Sequence, residues 1–184
     1  MGSRLPVKIL LDESLLNWAC LAVGLDHRWA STQDVIQFAE NWLVTNPSED
    51  SEAIILLAGG EGSPTEEIRG WLNKVAQDKE GISLVDEKQY QFQMKKWLFA
   101  HLVSLQQSQL PDEEKLDRLQ TIYAEFEYPE DMAGCSKYGG SQFAVASGYV
   151  SATDAMPDPL QVMQMVVQRL KALLPKKNCG QNED

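Results

Sequence analysis

The sequence predicts a mostly α-helical protein, either a multi-helix bundle or a set of stacked helical hairpins, with about seven helices. Two observations predict it. Apolar residues recur at three- and four-residue spacing along most of the chain, the period of one helix face. Capping residues, prolines and glycines punctuate those stripes where helices begin and end. One short segment reads otherwise. Val7 to Leu11, apolar except for Lys8, suits a short strand or an extended arm. A length of 184 residues fits a single domain with a core of useful size. Its expected extent is 1–175, followed by a polar tail over 176–184.

Each helix has its own signals. Asp12 stands before Leu15, Leu16, Trp18, Ala19, Leu21, Ala22 and Val23, so it is the expected N-cap of a helix from about Glu13 to Asp26. That helix is apolar nearly all round and should be central. Ser31 to Asp34 opens a second helix carrying Val35, Ile36, Ala39, Trp42 and Leu43, which Asn46-Pro47 ends. With a link through His27, Arg28 and Trp29, the two should form an αα-hairpin. Ala53 to Ala58 is too short for periodicity alone to assign. Ser51 before it and Gly59-Gly60 after it favour a short helix. Ser63-Pro64-Thr65-Glu66-Glu67 starts the next, with Ser63 as cap and acids facing the positive end of the helix dipole, and Gly81 ends it. Asp86 caps a long helix to about Gln109. Pro111 to Glu114 starts another, with Leu116, Leu119, Ile122, Tyr123 and Phe126 on its stripe and Pro129 as its stop. Glu130 to Pro157 is irregular and glycine-punctuated, with a short element over Phe143 to Val150. Leu160, Met163, Val167, Leu170 and Leu174 mark a last amphipathic helix, stopped by Pro175.

Charge and composition exclude several functions. The net charge is −11, opposite to what a nucleic-acid or anionic-membrane binder displays. An acidic surface suits solubility or a basic protein partner. Three cysteines, Cys20, Cys135 and Cys179, lie far apart and without metal-ligand spacing, which fits reduced thiols in a cytosol. The N-terminus lacks a signal-peptide pattern, and no apolar run approaches the length needed to span a bilayer.

No catalytic, cofactor-binding or metal-binding constellation emerges, so the expectation is a protein that is not an enzyme. The run from Leu57 to Pro64 has the outline of a phosphate-binding loop. However, it carries no basic residue, and Glu61, Glu66 and Glu67 would repel phosphate, so a turn between helices is the better reading. His27 and His101 are isolated from one another, and His101 sits on an apolar stripe where a core histidine is the commoner finding. Serine-nucleophile motifs are absent; around Ser147 the required glycines are Val145 and Tyr149. Cys20 lies in an apolar helix that should silence it.

What stands out is a surface. Pro111 to Met132 holds eight acids against Lys115 and Arg118, a net charge of −6. At its end, Tyr123, Phe126 and Tyr128 interleave with Glu125, Glu127, Glu130 and Asp131 around Pro129. Such a patch can attract and hold a basic partner, and it can equally be a solvated helix face with an aromatic anchor at its end. The candidate partner-binding residues are Glu125, Glu127, Tyr128, Glu130 and Asp131.

The same stretch, Tyr-Ala-Glu-Phe-Glu-Tyr-Pro-Glu-Asp-Met, resembles the YADFDYPEDM of a bacterial family, domain of unknown function 2247. Trp18, Gly24, Trp29, Ser31, Asp34, Val35, Ile36 and Ala39 resemble it too. The likeness covers most of Leu15 to Met132, and Cys135 to Gly148 departs from it. The resemblance implies a helical protein associated with polymorphic toxins, hence an immunity protein that neutralises a toxin by stoichiometric binding. The alternative is a helical structural or adaptor domain without enzymatic activity.

Overall fold

The computed structural model describes residues 5–136 and 158–174. Among them are eight α-helices and one 3-10 helix, with no strand. The helices are α1 (Leu5–Asp12), α2 (Trp18–Asp26), α3 (Thr32–Thr45), α4 (Glu52–Ala58), α5 (Thr65–Glu80), α6 (Glu87–Gln107), α7 (Asp112–Glu125) and α8 (Pro159–Leu173). The 3-10 helix, Glu130–Cys135, follows α7. None of the described helices is long and apolar enough to cross a membrane. The described residues through Trp97 form one compact unit and those from Leu98 onward another. The expected element over Phe143 to Val150 and the tail over 176–184 lie outside the described residues.

In the first unit α2 is central, as its all-round apolarity demands. Every residue from Trp18 to Leu25 is buried. Its main neighbour is α5, while α4 packs on both α3 and α5. The expected α2–α3 hairpin is therefore not the main packing pair, although Trp18 meets Phe38 and Trp42 of α3 edge-on, at ring distances of 4.7 and 5.6 Å. Ser31 caps α3 with a reciprocal capping box through Asp34. Asn46 closes α3, and the glycine-rich run after α4 is a turn in which Ser63 N–H bonds the Gly60 carbonyl.

Three expectations are corrected. Val7 to Leu11 is helical, not extended: Val7, Ile9 and Leu10 are buried on one side of α1. A five-residue apolar run carries too little periodicity to separate the two states. Asp12 is not a cap but the last residue of α1, and α2 begins at Trp18 with Asn17 as its cap, accepting from Cys20 N–H at 2.8 Å. The break between them is a left-handed Ser14 (φ 57°). There the Leu15 N–H reaches the Leu10 carbonyl and the Ser14 N–H the Leu11 carbonyl, which satisfies the free carbonyls at the end of α1. Finally, Pro64 rather than Ser63 precedes the first turn of α5, and no side chain caps it.

A residue distant in sequence completes the start of α2. The Glu80 carboxylate, at the end of α5, accepts from Trp18 N–H at 3.0 Å and Ala19 N–H at 3.1 Å. With Asn17 it satisfies three of the donors that a helix start leaves open, and its charge opposes the positive end of the dipole. Replacing Glu80 by alanine strands two partly buried donors and should cost about 2 kcal/mol. All five tryptophans lie at or before Trp97, so urea unfolding followed by tryptophan fluorescence reads this unit directly. A loss under about 0.5 kcal/mol would show that water replaces the carboxylate without penalty.

The second unit joins the end of α6, α7, the 3-10 helix and α8. The 3-10 helix packs on both α7 and α8, which also touch each other. Leu119, Ile122 and Phe126 of the α7 stripe are buried, together with Met132 and Cys135. From α8 come Val162, Met163, Val166, Val167 and Leu170, broadening the sequence stripe by one row. Asp158 caps α8 by accepting from Leu160 N–H at 3.0 Å.

Candidate functional site

The acidic–aromatic stretch occupies the end of α7, the turn beyond it and the start of the 3-10 helix. Its backbone is unusual. Glu127 and Tyr128 are both left-handed, each with φ of 58°. The Tyr128 N–H reaches back to the Tyr123 carbonyl at 2.9 Å and the Glu127 N–H to the Ala124 carbonyl at 3.1 Å. This pair of bonds is the Schellman closure, which usually places glycine where Glu127 stands. The apolar contact that accompanies such a closure is present as well: the Tyr123 and Tyr128 rings meet edge-on at 5.1 Å. Burial raises the Tyr123 hydroxyl pKa, with smaller contributions from Cys135 and Tyr128. Phe126 is buried and stands edge-on to the His101 ring at 5.7 Å. Pro129 then leads into the 3-10 helix.

The five candidate residues divide accordingly. Glu125, Glu127 and Glu130 are exposed. Tyr128 is 61% exposed despite its contact with Tyr123. Asp131 is half-buried and bonded to Arg169 of α8 at 3.2 Å, so it also ties the turn to the last helix. The turn thus holds the three glutamates and one face of Tyr128 outward. Arg169, 38 residues from Asp131, carries no sequence signal for this role.

A left-handed conformation costs a non-glycine residue about 1–2 kcal/mol, part of which glycine forfeits through its freer unfolded chain. Glu127→Gly should therefore stabilise the second unit by roughly 0.5–1 kcal/mol. The measurement is a far-UV circular dichroism melt. A lower midpoint would show that the Glu127 side chain contributes more than its backbone strain costs.

Beside this turn lies a shallow cleft of about 290 Å³ whose lining includes His101, Ser104, Ser108, Arg118, Thr121 and Glu125. A neighbouring depression shares Arg118 and Thr121 and adds Glu114 and Asp117. Burial lowers the His101 pKa to about 4, leaving a neutral imidazole at pH 7. The Ser108 hydroxyl, just past α6, donates to the Leu105 carbonyl, and the Thr121 hydroxyl to the Asp117 carbonyl of its own helix. Elsewhere, Cys20 and Cys135 are buried and burial pushes both thiols up to about 12, leaving them protonated and poor nucleophiles. His27 is exposed in the turn after α2, stacked on Trp29 and bonded to the Tyr90 hydroxyl at 2.7 Å. Among the described residues, no three His, Cys, Asp or Glu side chains group to hold a metal ion.

Fold and surface together define a mostly helical protein with an acidic, tyrosine-bearing turn, closed by backbone hydrogen bonds, between α7 and the 3-10 helix. A family of uncharacterised proteins conserved in bacteria, domain of unknown function 2247, matches residues 8–156. The chain belongs to that family, and the match runs beyond Met132, where the likeness read from the sequence stopped. No curated protein and no solved structure matches the chain.

Proposed function

We propose that this is a non-enzymatic helical binding protein whose partner is a basic protein. The contact surface consists of Glu125, Glu127, Tyr128, Glu130 and Asp131. The observation that carries this reading is the outward display of Glu125, Glu127, Glu130 and Tyr128 on a closed, hydrogen-bonded turn. A pre-organised surface loses little entropy on binding, and exposed carboxylates accelerate encounter with a cationic partner. Asp112, Glu113, Glu114 and Asp117 are exposed on α7 and extend the negative field. The narrower form of the proposal is an immunity protein that covers a toxin's active site one-to-one, as the family resemblance implies. A second reading, a helical structural or adaptor domain, draws on the exposed apolar side chains Val44, Ile55 and Leu56 on α3 and α4.

The test is charge reversal of Glu125, Glu127 and Glu130 to lysine, leaving Asp131 to hold Arg169. The wild-type protein should retain a basic protein from its native host, identified by mass spectrometry, and the triple variant should lose it with an unchanged circular dichroism spectrum. If that protein is a toxin, co-expression of the wild type should restore growth and the triple variant should not. Equal retention by both would overturn the surface. Retention lost instead on Ile55→Lys would favour the adaptor reading.

A further inference from the structure

We draw no further inference here: the strongest candidate, the cleft beside the end of α7 lined by His101, Ser108, Arg118, Thr121 and Glu125, holds one acid and one base, its Ser108 and Thr121 hydroxyls donate to backbone carbonyls of α6 and α7, and nothing in the structure shows what ligand would fill it.

Discussion

Gly24→Ala is expected to destabilise the protein by about 3 kcal/mol, although in an ordinary helix interior the same change stabilises by about 1 kcal/mol. The sign is set by Trp97. A Cβ built on Gly24 would stand 2.1 Å from one carbon of the Trp97 indole and 2.7 and 2.9 Å from two others. The indole has little room to retreat. Trp97 is wholly buried, its Nε1 donates to the Cys20 carbonyl at 2.8 Å, and the Trp29 ring lies 5.7 Å away. Cys20 is one helical turn before Gly24, so the indole lies along α2, over the residue with no side chain. The glycine carbonyl is also used, accepting from the Trp29 and Ala30 N–H groups where α2 ends. Moving α2 to relieve the clash would disturb that closure.

The measurement is urea unfolding followed by tryptophan fluorescence. A double-mutant cycle sharpens it, because Trp97→Leu removes the ring that the new methyl would strike. Gly24→Ala should then cost far less in the Trp97→Leu background than in the wild type, a coupling of 1 kcal/mol or more for residues in contact. Strictly additive effects would sink the argument. The same geometry gives a physical reason for Gly24 and Trp29 in the stretch that resembles the family. They are parts of a packing device, with no partner needed to explain them.

Acid should weaken the second unit through His101. Burial lowers its pKa in the folded protein to about 4, against an ordinary value of 6.5. The folded state thus binds the proton less readily than the unfolded chain. The stability that the neutral imidazole contributes is complete above pH 6.5 and is lost as pH falls from 6.5 through 4. A shift of this size corresponds to about 3 kcal/mol at the low end of that window. Phe126 stands against the ring, and Arg118 and Glu125 line the same cleft. Phe126 also precedes the two left-handed residues of the acidic turn, so charging His101 would press on that turn's anchor.

Glu49 provides a contrast in the first unit. It accepts from Lys79, from the Trp42 indole and from Ser51 N–H, and the Lys79 and Trp42 bonds lead in lowering its pKa to about 2. Its contribution is present above about pH 4.5 and lost as pH falls toward 2. The two windows overlap only between about pH 4.5 and 4, so the loss between pH 6.5 and 4.5 belongs to His101 alone of the two. Urea unfolding followed by far-UV circular dichroism at pH 7 and pH 4.5 should show that loss. His101→Leu, which has no proton to gain, should flatten the curve between pH 6.5 and 4.5. A curve unchanged by that substitution would remove His101 as the cause.

Much of the secondary structure was legible in the sequence because its signals act within one helical turn. Ser31 with Asp34, Asn46 before Pro47, Gly81 at φ 64° and Asp86, whose carboxylate accepts from Gln89 N–H, all stand at the helix ends their chemistry predicts. The break between α1 and α2 was not legible for a particular reason. α1, α2 and α7 each close through a left-handed residue that is not glycine, namely Ser14, Arg28 and Glu127. With no glycine to mark it, the break over 13–17 reads in the sequence as the first turn of the expected Glu13–Asp26 helix. At Tyr128 the same closure supplies a structural reason for an aromatic that composition alone made look like a contact.

The sequence by itself determined the helical class, most helix boundaries and the acidity of the α7 region, since each depends on residues within a few positions of one another. Only the tertiary structure decided that α2 lies chiefly against α5 and that Glu80 caps it from 61 and 62 positions away. The same holds for Trp97 over Gly24 and for Arg169 on Asp131. These pairings depend on burial, on close approach and on which donors remain unsatisfied once the chain is folded, and no local period records them. The candidate surface follows that division: its charge is written in sequence, while the exposure of Glu125, Glu127 and Glu130 and the tethering of Asp131 come from the turn that holds them.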